Sequence, residues 1–340
     1  MDKKTILKRV LTVTAAVRIL LLLLGFFTQL VQPKYMTDLI EGSMVSQYYH
    51  ETKDHDVIFL GDSQIYAQFS PMEIYRQTGI TAYLRATPQQ LMWQSYYLLK
   101  ETFRYESPKA VVLSVNAMRY DKPQDEAFNR LSLDKMRWSS EKWDMIQASM
   151  MPDEEVWHYV FPLLRYHSRI TELTQEDFDY FFTEVNNFHN GFLINKEIKP
   201  LGALPTKKPL ANYQFSDVCY DYLDKIRLLC EENGTELILV KAPSQYPFWY
   251  DEYDAQMEEY AAKHGLAYYN FLNDVETMGI DFQVDTYDGG LHLNLTGATK
   301  MSKYFAKILE ENHALPDHRG DPAVNGIYQD KLARYDEACE

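Results

Sequence analysis

VIFLGDSQIYAQFSP, residues 57–71, decides how the chain folds. The apolar run Val57–Leu60 has the length and β-branched content of a buried strand. It stops on Gly61-Asp62-Ser63, ahead of a more polar stretch of helical character and Pro71. A strand that ends on glycine and passes straight to a serine and a helix builds a sharp corner, and such corners lift a hydroxyl clear of the sheet. Ser63 is therefore a candidate nucleophile.

Similar runs recur at Ile80–Leu84, Ala110–Val115, Glu236–Val240 and Leu266–Phe271, and helical periodicity fills several of the gaps between them. This alternation predicts an α/β fold, a flavodoxin-like three-layer sandwich with a central parallel sheet of about five strands. One helix is framed by Ser216 as cap and Gly234 as stop, with Val218, Cys219, Tyr222, Ile226, Leu229 and Cys230 on its apolar face. A second runs from about Thr296 to Asn312, with Met301, Tyr304, Phe305 and Ile308 at three-to-four spacing.

The third and fourth runs lie too far apart for a simple crossover, so residues 120–212 read as an insertion. It is helical and aromatic-rich (Trp138, Trp143, Trp157, Phe161, Tyr166, Phe178, Tyr180, Phe181, Phe182) until the looser NKEIKPLGALPTKKPL, an ordered loop or flap. Such aromatics either line a cleft or a partner site, or simply pack the insertion onto the sheet. Residues 321–340 read as a C-terminal tail after a main domain over 34–320.

With 340 residues, 46% of them hydrophobic, the chain can bury a large core. Its net charge of -15 repels nucleic acid at long range, and no Lys/Arg block outside the N-terminus offsets this, so nucleic acid is excluded as a partner. Cys219 and Cys230 fall eleven residues apart in one expected helix, roughly 16 Å along its axis and beyond disulfide reach. Free thiols follow. There is no C-x-x-C pair, the histidines have no metal-ligand spacing, and no cofactor motif is present.

Residues 1–33 combine a basic head (Lys3, Lys4, Lys8, Arg9) with an apolar segment from Val10 to Val31, as long as a membrane-spanning helix needs to be. The basic flank places the head in the cytoplasm and the remainder outside, and no small-x-small cleavage site follows. The segment reads as a retained anchor, with a cleaved signal peptide as the alternative. Arg18 is a costly charge inside it and marks a contact with another membrane protein if it does not snorkel. Asn233 and Asn294 head N-x-S/T sequons that read as chance occurrences.

A serine nucleophile needs a histidine base that is itself held by a carboxylate. In VDTYDGGLHLNLTGATKMSKYFA, residues 284–306, Asp285, Asp288 and His292 share a glycine-bearing loop ahead of the last long helix. Gly61-Asp62-Ser63 after the first strand, with Asp288 and His292-Leu293-Asn294 before that helix, resembles the SGNH (GDSL-type) hydrolase superfamily. The G-D-S-x-x-Y-x-x-x-x-P spacing, the Tyr-Tyr-Leu-Leu-Lys helix and Ser107-Pro108-Lys109-Ala110-Val111-Val112-Leu113 are similar to its membrane-anchored bacterial branch. That branch includes the alginate O-acetylation proteins and, more remotely, the teichoic-acid D-alanylation protein. The likeness covers about residues 54–119 and 213–310.

The resemblance implies Ser63 as nucleophile and oxyanion donor, His292 as general base and Asp288 as the acid, with Asp285 as alternative. The family places its acid three residues before the histidine, where this chain has Gly289. It also implies an oxyanion asparagine, matched by Asn116, and a second-block glycine N–H, for which LRATPQQ offers only Ala86 or Thr87. The implied chemistry is a serine esterase or O-acyltransferase that moves acyl groups, acetyl foremost, on a cell-envelope polysaccharide or teichoic-acid-like acceptor, with a partner membrane O-acyltransferase. The alternative is a non-catalytic scaffold or glycan-binding protein that keeps the fold, favoured by the absent second-block glycine and the offset acid.

Overall fold

The computed structural model describes residues 2–33, 44–179, 181–182 and 189–340. β1 (Val57–Gly61), β2 (Ala82–Ala86), β3 (Ala110–Ser114), β4 (Glu236–Lys241) and β5 (Ala267–Asn270) form one sheet in the order β2-β1-β3-β4-β5. Every pairing is parallel, and Val57 sits opposite both Ala82 and Ala110. Parallel sheets are covered on both faces, so their strands read as unbroken apolar runs, and β1 and β3 are buried along their whole length. β2 begins two residues later than its apolar run predicts. Gly79, at φ 75°, ends helix Pro71–Thr78, and the Thr81 hydroxyl turns aside to the Asp56 carboxylate at 2.8 Å before the ladder starts.

Strand alternation sends Val57, Phe59, Leu84, Val112, Ile238 and Val240 to one face, where Met301, Phe305 and Leu309 of helix Leu295–Asn312 complete the core. Helices Pro71–Thr78 and Pro322–Cys339 finish that layer. The opposite face is covered by Met92–Thr102 and Asp217–Glu232, with Ser140–Ser149 packed behind the first. Arg85 of β2 points to this side, fully buried. Its Nη2 meets Glu101 Oε2 at 2.7 Å beneath the Tyr48 ring, so the buried charge is paired rather than stranded. Cys219 and Cys230 are free and buried on the helix that carries both.

The final segment is no tail. Asp321 accepts the Ala323 N–H at 2.9 Å, Pro322 starts helix Pro322–Cys339, and buried Tyr328, Leu332 and Tyr335 join the core, with the Tyr328 ring stacked 4.1 Å from that of Tyr75.

Two compact units emerge, Met1–Gly42 with Pro152–Glu184, and Ser43–Met151 with Val185–Glu340. The expected insertion is thus divided, its middle belonging with the N-terminal helix and its ends with the sheet. The first unit carries helix Lys3–Val31, long and apolar enough to cross a membrane. The end of that helix is held by Arg169, whose Nη1 donates to Val31 O at 2.7 Å, a cation answering the orphan carbonyls of a helix C-terminus. Phe181 stacks on Phe26 at 4.9 Å. Tyr180, among the aromatics singled out from sequence, lies outside the described residues.

In the second unit, the chain returning from the insertion seals β2. Leu84 N–H donates to Asn190 O at 3.0 Å, and Asn190 Nδ2 donates to Ala82 O at 2.8 Å. It then forms an ordered strap, in which Lys199 N–H donates to Thr286 O at 2.9 Å, Gly289 N–H to Lys199 O at 3.1 Å, and Leu201 N–H to Phe282 O at 2.8 Å.

Candidate active site

In an open parallel sheet, ligands bind beyond the carboxyl ends of the strands where the strand order reverses. In the order β2-β1-β3 that point lies at the end of β1, where Gly61-Asp62-Ser63 turns the chain. Gly61 is required twice over. Its φ is 150°, and a Cβ there would lie 2.5 Å from Ser114 Cβ of β3 and 2.8 Å from Ile65 Cγ1. Asp62 caps the next helix, its Oδ1 accepting Gln64 N–H at 3.1 Å, and Ser63 becomes the first residue of helix Ser63–Gln68.

His292 reaches this corner from the far end of the sequence. Its Nε2 lies 2.7 Å from Ser63 Oγ, and its Nδ1 lies 2.6 Å from Asp288 Oδ2. A carboxylate only accepts, so Nδ1 carries the proton, and Nε2 is left to accept from the serine hydroxyl. Asp288 Oδ1 also accepts the His292 backbone N–H at 2.8 Å. Burial pushes the Asp288 carboxyl up, but the hydrogen bonds and charge of His292 outweigh it and hold the group below its ordinary range. His292 is buried, whereas Ser63 is only half-buried.

The loop that presents this pair is fixed from within. Gly289 and Gly290 both have positive φ, at 83° and 98°. Thr286 Oγ1 accepts Gly290 N–H at 2.8 Å and donates to His292 O at 2.7 Å, while Thr286 and Leu293 form an antiparallel bridge. Gly290 O accepts Gln245 N–H at 2.7 Å, and the strap closes the other side.

Of the two candidate acids, the structure brings only Asp288 to His292. Asp285 is wholly buried elsewhere, its Oδ2 pairing with Lys300 Nζ at 2.6 Å and accepting Asp281 N–H at 2.7 Å. Its backbone carbonyl accepts Asn294 N–H at 3.0 Å beside Gly297, where a Cβ would come within 2.5 Å of that oxygen. Asp285 anchors the loop to the start of helix Leu295–Asn312. Asn294, the residue of the second sequon, is buried and caps that helix.

The oxyanion side is less fully equipped. Asn116, just past β3, donates through Nδ2 to Asp62 Oδ2 and accepts through Oδ1 from Arg119 Nη2 at 2.9 Å. Guanidinium only donates and carboxylate only accepts, so the amide orientation is fixed, with its second N–H uncommitted by either contact. The second-block donor expected at Ala86 or Thr87 fails on geometry. Thr87 N–H is spent on Gly61 O at 3.3 Å. Strand alternation sends Ala86 N–H the way of Leu84 N–H, towards the outer edge of β2 where Asn190 sits, away from β1. The backbone N–H of Ser63 remains.

Sequence reasoning missed one neighbour. Lys241 ends β4 fully buried, and its Nζ donates to Ala242 O at 2.6 Å, Ser244 Oγ at 2.9 Å and Gln64 Oε1 at 3.1 Å. Burial pushes its ammonium down to about 7, Arg119 adding to this while Asp62 and Asp254 oppose it. It therefore fixes Gln64, the residue after Ser63. The signal was a single lysine closing the run ELILVK at the carboxyl edge of a core strand. Among the described residues no group of three or more His, Cys, Asp or Glu side chains is arranged to hold a metal.

A scan of the chain against protein-family models finds no match. A search of the curated proteins likewise finds none.

Proposed function

We propose that this protein is a membrane-anchored, extracytoplasmic serine esterase or O-acyltransferase acting through Ser63, His292 and Asp288. The observation that carries this reading is the continuous chain from Ser63 Oγ through the His292 ring to Asp288, at 2.7 and 2.6 Å. Nothing in the packing of the sheet requires a hydroxyl, an imidazole and a carboxylate in series at that edge. The motifs that resemble the SGNH superfamily point the same way, and helix Lys3–Val31 with its basic head supports the anchor and its orientation.

In this mechanism His292 Nε2 takes the Ser63 proton as Oγ attacks the acyl carbonyl. Asp288 keeps the imidazole in the required tautomer and stabilises the imidazolium. The tetrahedral oxyanion is met by the Ser63 N–H and the second N–H of Asn116. His292 then returns the proton to the departing alkoxide, leaving an ester on Ser63. In the second half, water or a glycan hydroxyl gives its proton to His292 and attacks that ester, and the imidazolium returns the proton to Ser63 Oγ as it departs, which frees Ser63 and yields hydrolysis or transfer. An envelope glycan acceptor, acetyl as the acyl group and a membrane O-acyltransferase as donor partner follow from the resemblance to the alginate and teichoic-acid systems.

The test is intact mass spectrometry of the full chain in detergent after incubation with p-nitrophenyl acetate, beside Ser63→Ala and His292→Ala. An acetyl adduct of the wild type that maps to Ser63 and is lost in both variants is the expected result. Nitrophenol release that survives Ser63→Ala, or no release at all from wild type, overturns the reading. The second reading, a scaffold that keeps the fold without turnover, is favoured by one observation, the missing donor at the end of β2.

A further inference from the structure

The unit that contains helix Lys3–Val31 also displays Trp157, Phe161, Leu164, Ile170, Phe178 and Phe182, with exposures from 42% at Phe178 to 85% at Phe182. Scattered apolar residues need no account, but six large exposed ones within one short segment, with the Trp157 and Phe161 rings stacked, do. These side chains belong to a segment tied to one end of the apolar helix. Phe181 stacks on Phe26, Arg169 caps Val31, and helices Pro162–Tyr166 and Gln175–Asp179 pack on the same helix. Phe26 precedes Val31 by five residues, about 8 Å of axis, so the segment flanks roughly the last turn and a half. At that depth a spanning helix leaves hydrocarbon for headgroups, the zone where aromatic side chains concentrate.

We infer that helices Trp157–Val160, Pro162–Tyr166 and Gln175–Asp179, with Phe182, form an aromatic foot inserted into the headgroup–acyl boundary of the bilayer beside the anchor. This rests on the anchor reading above. Continuity selects lipid as the occupant. Phe26 and Phe27 are themselves exposed, at 44% and 41%, and the foot begins where Phe26 meets Phe181, so the bilayer that encloses the helix reaches the foot without a break. The segment's own charges include Glu154, Glu155, Glu172 and Glu176, so attraction to anionic headgroups does not drive the insertion. Apolar burial does.

The test uses the full chain reconstituted into phosphatidylcholine vesicles, with and without bromine on the acyl chains, and reads tryptophan fluorescence. Brominated lipid quenches wild type, and that quenching is lost in Trp157→Phe but kept in Trp138→Phe, which alters an exposed tryptophan of the other unit. Added phosphatidylglycerol or high salt leaves the pattern unchanged. Equal quenching of wild type and Trp157→Phe overturns the foot, as does a photoreactive benzoylphenylalanine at position 182 that links only to a second polypeptide. A chain that does not float with vesicles at all overturns the anchor and the foot together. A chain that floats with Trp157 unquenched overturns the foot alone.

Discussion

The two halves of the candidate site are built to different standards. On the proton-transfer side, the loop from Asp281 to Asn294 is braced by Thr286, two positive-φ glycines, the buried Asp285–Lys300 pair and the strap, so His292 has one place to stand. On the oxyanion side, the end of β2 points its donor outward, and Asn116 spends one amide N–H on Asp62 and its carbonyl on Arg119. Activating a nucleophile and stabilising the oxyanion that its attack creates are thus separable. This chain is fully furnished for the first and sparsely for the second.

The sharpest way to break that contrast is to exchange the two loop carboxylates. Asp288→Asn disturbs the imidazole tautomer and lowers kcat on an activated ester by about 10³–10⁴ with only a modest loss of Tm. Asp285→Asn, removing a charge-assisted hydrogen bond to Lys300, costs about 2 kcal/mol of stability with a much smaller loss of rate. If the two variants behave alike, the division of labour is wrong. Acid denaturation adds a check. Because His292 overcomes burial and lowers the Asp288 carboxyl, its contribution to stability is present above the unfolded value near 3.9. That contribution is lost as pH falls through the lower folded value, and Asp288→Asn lacks this slope.

A smaller effect sharpens the oxyanion side. Asn116→Ala lowers kcat by about 10²–10³ and leaves KM near wild type, since the lost contact exists only in the transition state. A change under tenfold would mean that Ser63 N–H carries the oxyanion alone. A final check concerns Lys241. Burial lowers its ammonium to about 7, so between that pH and the ordinary lysine value near 10.4 the unfolded chain holds more protons, and stability rises with pH. Urea unfolding of Lys241→Met across that window shows no such rise.

Much of this was legible in the chain, and the rest was hidden for identifiable reasons. Five short apolar runs closed by turn residues announce a doubly covered parallel sheet, and β2 is the strand most displaced, by two residues at each end, because Ile80 and Thr81 are strand-like residues used as a lead-in. Ser63 and His292 stand out because the corner and the pre-helix loop leave local marks. The choice between Asp288 and Asp285 turns on the left-handed turn at Gly289–Gly290, whose effect on direction no spacing rule captures. Asn116 with Asp62, and Lys241 with Gln64, join distant stretches of chain, and local pattern is silent about such pairs. The division of the insertion was hidden for another reason. Aromatic residues that face outward beside an apolar helix have the same composition as residues that fill a core.

β2 lies at the margin of the sheet, where unpaired backbone groups invite another chain to add a strand. Asn190 blocks that invitation with both its carbonyl, which takes Leu84 N–H, and its side-chain amide, which answers Ala82 O. Its backbone holds a positive φ of 49° and makes no strand of its own, so the pairing ends with it. The segment that leads to the candidate site thus also guards solubility, and a shortened chain that dispensed with residues 120–212 would expose a sticky border and aggregate.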